Sequence, residues 1–162
     1  TSDYLRLHCQ ESGVSYLQTV DSNGTLAHLT IAPNGNLILD PDSKITIINE
    51  SIVFNTQTHQ DITTGGIAVD WNNGNKQSID VTGTGYTLTM TNPAGPSNLV
   101  LKVIQGDGND TITTWAASSG SVYWSGGAIP TLSTGNGEID IVSFYFDGTN
   151  YFGVASLDFA TV

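Results

Sequence analysis

Apolar and polar residues alternate with period two along much of this chain, and turn residues break the alternation at short intervals. Tyr86-Thr87-Leu88-Thr89-Met90-Thr91 alternates strictly until Asn92-Pro93-Ala94-Gly95-Pro96, the pattern of a half-buried strand running into a turn. Ile67 to Trp71 precedes Asn72-Asn73-Gly74-Asn75, and Lys76 to Val81 precedes Thr82-Gly83-Thr84-Gly85. Asn98 to Gln105 is long and apolar, which predicts a central strand buried on both faces. Gly106-Asp107-Gly108-Asn109 leads into Thr111 to Trp115. Two long strands, Ile139–Phe146 and Tyr151–Phe159, flank Asp147-Gly148-Thr149-Asn150 and predict a hairpin. Strands recurring about every ten residues from His59 onward predict an antiparallel β-sandwich or jelly roll. The aromatic residues Trp115, Trp124, Tyr145 and Phe152 are expected in its core or between subunits.

The opening stretch is different. Leu29-Thr30-Ile31, Leu37-Ile38-Leu39, Ile45-Thr46-Ile47 and Ile52-Val53-Phe54 start eight, eight and seven residues apart, separated by turns such as Pro33-Asn34-Gly35-Asn36. Tyr4 to Leu7 and Val14 to Val20 alternate in the same manner. Strands this short present one or two apolar side chains to each face, too little to offset the ordering entropy of a lone ribbon. Short repeats of this kind resolve the deficit by winding several copies around a shared core, or by packing against a sheet of their own chain as a meander. We read residues 1–58 as a stalk and 59–162 as a head.

Composition narrows the class. Val, Ile and Thr number 46, against 35 for Ala, Leu, Glu, Lys, Gln, Arg and Met together, which disfavours helical folds because β-branched side chains suit a pleated surface. The chain is therefore expected to be all-β. Four basic residues (Arg6, Lys44, Lys76, Lys102) face fifteen acidic ones, a net charge of −11. Nucleic-acid binding requires cations to replace phosphate counterions, so no nucleic-acid partner is expected. Copies that assemble must meet through apolar, backbone or neutral polar contacts. The single Cys9 forms no internal disulfide. The start at Thr1, mid-pattern and without Met, reads as a fragment of a longer chain.

Signals for chemistry are sparse. His8, His28 and His59 are scattered and lack metal-ligand spacing. No phosphate loop, nucleophile elbow or zinc-protease motif is present in the sequence. Glu138, Asp140 and Asp147 are the carboxylates a glycosidase pair would draw on, but Asp147 reads as a turn residue. Asp107-Gly108-Asn109-Asp110 and Asp40-Pro41-Asp42 offer oxygen ligands without completing a calcium loop. The expectation is a non-enzymatic protein with no cofactor.

Two stretches carry a resemblance. Asp61-Ile62-Thr63, Asp70-Trp71, Gly74-Asn75-Lys76-Gln77 and Thr91 to Leu99 resemble the C-terminal domain of bacteriophage tail and capsid fibres. So do Trp124-Ser125-Gly126-Gly127-Ala128-Ile129-Pro130-Thr131-Leu132 and Asp140 to Ala155. Gly35-Asn36-Leu37-Ile38-Leu39-Asp40 is similar to repeats of their shafts. The resemblance covers about 100 residues well and the first 58 more loosely, and its motifs are structural. It implies an intertwined homotrimer on the virion exterior, joined at its N-terminal side to the rest of the fibre. It also implies a head that meets a host-surface glycan or other receptor.

Loops held by rigid sheets are the natural contact points. Candidate receptor-binding residues are Trp71, Asn72, Asn73, Asn75, Asp107, Asn109, Ser118 and Ser119, with Trp71 placed to stack on a sugar ring. A monomeric carbohydrate-binding or adhesin module, a purely structural capsid decoration and a depolymerase are the alternatives.

Overall fold

The computed structural model describes residues 4–9, 15–20, 29–34, 37, 58–60, 66–106 and 108–159. The chain divides into two units, Thr1–Ile52 and Val53–Val162. All described strands and turns make an all-β protein.

In the first unit, β1 (Tyr4–Cys9) pairs antiparallel with β2 (Ser15–Val20), and Leu7 lies opposite Leu17. Leu29 to Asn34 is exposed and outside any strand. The repeats expected at 38–39, 45–47 and 52–54 lie outside the described residues.

The second unit begins with β3 (Thr58–Gln60), β4 (Ile67–Asp70), β5 (Lys76–Val81) and β6 (Tyr86–Thr91). It continues with β7 (Ser97–Gln105), β8 (Ile112–Ala117) and β9 (Val122–Trp124). It closes with β10 (Ile139–Phe146) and β11 (Tyr151–Phe159). Six strands form one sheet in the order β3-β5-β7-β10-β11-β9, and three form another, β4-β6-β8. Their buried faces join in one core, as in a sandwich.

The antiparallel expectation holds for the hairpin β10–β11 and for β7–β10. It fails elsewhere. The pairs β3–β5, β5–β7, β4–β6, β6–β8 and β9–β11 are parallel. Between β4 and β8, consecutive strands lie in opposite sheets and each pairs with the strand two steps on. The turns at 82–85, 92–96 and 106–111 therefore bridge the sheets instead of closing hairpins. A parallel pair needs a crossover, and here the strand of the facing sheet supplies it. The result is a short stack of flattened coils, closed by a hairpin. Ile67, Leu88 and Trp115 sit on successive rungs of one sheet, and Ile79 and Val103 on neighbouring rungs of the other. The turns stack too: Gly106 N donates to the Val81 carbonyl, and Thr111 N donates to that of Gly83.

β7 is central as expected, but only one face is fully buried. Leu99, Leu101, Val103 and Gln105 point inward, whereas Val100, Lys102 and Ile104 are half-buried. Phe144 anchors an aromatic cluster, with Trp71, Trp115, Trp124 and Tyr151 rings at 6.3, 5.9, 5.5 and 5.9 Å. Trp115 is buried and Trp124 partly so, as expected of core residues. Tyr145 and Phe152 are not core: they stand half-exposed on the outer face. Asp140, fully buried, accepts from Ser133 N, Ser133 Oγ and Asp158 N, and so ties the 133 loop to the end of β11.

Candidate functional site

Because strands of one sheet start where those of the other end, the connections gather at two opposite ends of the second unit. One end holds the turns at 70–75, 92–96, 118–121 and 147–150. The other holds 82–85, 106–111 and 134–138. The nine residues of β7 separate them by roughly 30 Å.

At the first end, Asp70 Oδ1 accepts from Asn72 N at 3.0 Å and Asn72 Nδ2 at 2.9 Å. Asn72 Nδ2 also donates to the Asn92 carbonyl. Asn92 is the hub. Its backbone N donates to Ser118 Oγ, and its Nδ2 donates to the Ser119 carbonyl. Its Oδ1 accepts from Ser118 Oγ at 3.2 Å and from the Tyr151 phenol at 3.1 Å. The next layer joins through Asn150 Oδ1, which accepts from Ser121 N, and through Tyr151 N, which donates to the Ser121 carbonyl. Asp147 closes the β10–β11 turn by accepting from Thr149 N and Asn150 N at 2.7 Å each. Those amides, Asn150 foremost, hold its carboxyl below the usual carboxylate range. Burial pushes the Tyr151 phenol up to about 12.

The sequence candidates divide between the ends. Asn72, Asn73, Asn75, Ser118 and Ser119 share the first, where Asn72, Asn73, Ser118 and Ser119 are exposed. Asn75 is half-buried, and its carbonyl accepts from Val100 N as part of the sheet. Asn109 is at the opposite end, in a left-handed conformation, with its N–H donated to Thr134. Asp107 lies outside the described residues. Trp71 needs correction as a sugar-stacking residue: it is buried and packs edge-on against Phe144. The period that places Ile67 and Val69 inward carries Trp71 inward with them. Asn92 was missed as a site residue, and only coil stacking shows that it meets Ser118.

A second feature lies on the outer face of the six-stranded sheet. Tyr123, Phe152 and Tyr145 stand side by side on β9, β11 and β10 and are about half exposed. Tyr123 and Phe152 are stacked, with centroids 5.4 Å apart and planes inclined 16°; Tyr145 follows at 6.3 Å. At 5.4 Å with nearly parallel planes, the two rings form an offset stack. Two shallow clefts border the 129–132 segment. One, about 260 Å³, is lined by Ile112 and Ile129; the other, about 320 Å³, lies between Trp124 and the β11 edge. Among the described residues, no charged side chain lines either cleft. Among the described residues, no three His, Cys, Asp or Glu side chains gather to hold a metal.

Searches against protein-family models, curated proteins and solved structures found no match to the chain.

Proposed function

We propose that this chain is a segment of a bacteriophage fibre: a stalk of entwined copies carrying a β-rich head that adheres to the host surface, without catalysis. Three copies fit the resemblance of the sequence to fibre heads. Contact is made through the loops around Asn92, where the exposed Asn72 and Ser119 present an amide oxygen and a hydroxyl suited to glycan hydroxyls. Adhesion works by avidity: copies linked in one fibre multiply contacts that are individually weak.

One observation carries the proposal. In the first unit Leu7 is 75% exposed, and Leu17, Leu29, Ile31 and Leu37 are each between 44% and 53% exposed. Apolar side chains left exposed on the β1–β2 pair and at Leu29, Ile31 and Leu37 call for a covering surface, and further copies of the same segment would supply one.

The test combines sedimentation equilibrium of the full chain with adsorption of the labelled protein to bacterial cells. A trimeric mass and saturable adsorption are expected. A stable monomer that still binds polysaccharide makes the chain a carbohydrate-binding module instead. A trimer that adsorbs to no cell makes it a structural decoration.

A further inference from the structure

Within that assembly, we infer that the outer face of β7, β10 and β11, continued onto β9 by Tyr123, is where the heads of neighbouring copies meet. The inference rests on the multichain reading of the preceding section and specifies which surface of the head takes part.

Strand register makes the face continuous. Tyr145 lies opposite Phe152, Ser143 opposite Val154, Ile141 opposite Ser156 and Ile139 opposite Phe159. On the other side of β10, the same residues meet Asn98, Val100, Lys102 and Ile104. Tyr123, Tyr145, Phe152, Val154 and Phe159 are between 44% and 53% exposed. A half-exposed aromatic leaves roughly 100 Å² in solvent, so the four aromatics present roughly 400 Å², to which the smaller Val154 adds. The half-buried isoleucines and Val100 between them bring the patch toward the roughly 800 Å² that each partner contributes to a standard interface.

Charge selects the occupant. The chain carries −11, so identical copies repel wherever carboxylates face one another. The outward positions paired across β7, β10 and β11 include one cation, Lys102. The carboxylates that border them are at one end of the face, Asp158 near the end of β11 and Asp80 beside Ile104 on β5. Acidic copies that meet over the Tyr123, Tyr145 and Phe152 end keep these groups at the margin, where like-charge cost is lowest.

The full chain is treated with N-acetylimidazole, and the acylated tyrosines are mapped by peptide mass spectrometry alongside the sedimentation mass. In the assembled wild type, Tyr123 and Tyr145 are expected to react about fivefold or more slowly than in the Val154→Lys chain, since interface cores exclude solvent. Val154 is exposed on the same face, and its replacement leaves Phe152 stacked on Tyr123, so the difference reports on the neighbouring copy. Val154→Lys is expected to retain its β circular dichroism; Ser143→Lys, opposite it on β10, serves the same purpose if it does not. An oligomer whose Tyr123 and Tyr145 react as fast as in Val154→Lys overturns this interface and leaves the assembly standing on other contacts. Protection that appears only on adding host polysaccharide overturns it in favour of a glycan. A monomeric mass removes both the interface and the assembly.

Discussion

Gly153 sits where the sheet has no room for a side chain. It lies opposite Phe144 on β10 and Trp124 on β9. A methyl group there would stand 2.7 and 2.8 Å from two indole carbons of Trp124 and 2.9 Å from the Phe144 ring. Carbon atoms pack best at about 3.5–4.0 Å, so the rings would have to retreat by roughly 0.6–1 Å. Neither is free to do so: Phe144 is held by Trp71, Trp115 and Tyr151, and Trp124 packs on Trp115 at 5.1 Å. Overpacking a core by a methylene costs about 1–3 kcal/mol. Replacing Gly by Ala within a strand returns about 0.5–1 kcal/mol. Gly153→Ala is therefore expected to destabilise the fold, by up to about 2.5 kcal/mol. Gly95→Ala is the matched control, since a methyl there meets nothing within 4 Å and the backbone is not left-handed; it should be neutral or stabilising by about 0.5 kcal/mol. Urea unfolding followed by tryptophan fluorescence measures both. Equal midpoints for the two variants would refute the packing described around Phe144.

Asn92→Ala removes the acceptor of the buried Tyr151 phenol and the links to Ser118 and Ser119, and should cost about 1–3 kcal/mol in the same assay; an unchanged midpoint denies the hub. Tyr151 should ionise near pH 12. Since its folded pKa lies above the unfolded value of 10.0, its stabilising contribution is complete below pH 10 and lost as pH rises toward 12. Tyrosinate absorbance of wild type against Tyr151→Phe checks this, and loss of an early-titrating tyrosine in the variant counts against it. Asp147 has the opposite sign: its lowered pKa gives stability present above the ordinary carboxylate range and lost as pH falls through the depressed value. Asp147→Asn keeps the turn and removes that acid dependence, so parallel acid profiles of the two chains would exclude it. Gly120→Ala, at a left-handed position facing the Thr149 carbonyl, should lower the thermal midpoint more than Gly153→Ala does.

Strand positions from Ile67 to Trp115 and from Ile139 to Phe159 were legible in the sequence because alternation and turn residues mark them whatever their partners; the three-residue β9 (Val122–Trp124) is too short to show an alternation. Pairing direction was not. Alternation is the same in parallel and antiparallel sheets, and the turns at 82–85 and 92–96 are short enough to suit hairpins. The coils also differ in length: Ile67 stacks on Leu88, yet Leu88 stacks on Trp115, so no constant repeat is visible. β10 misleads in another way. Ile139 and Ile141 face outward while Asp140 is buried on a cradle of hydrogen bonds, the reverse of what hydropathy suggests. In Phe144-Tyr145-Phe146 all three positions are aromatic, so period alone cannot choose which ring faces outward. Of the site, the polar turns were readable one at a time; their grouping at two ends required the topology.

Strands of the coiled portion all run one way within each sheet until β10 reverses direction. A stack of that kind is modular upstream: one more coil before β3 would add about 4.8 Å of height while every rung from Ile67 onward kept its neighbours. Downstream, the reversed hairpin works as a stopper. An insertion between β8 and β10 would have to move Trp124 or the Asp140 cradle, so change of length is confined to one side of the molecule and chemical variation to its turns.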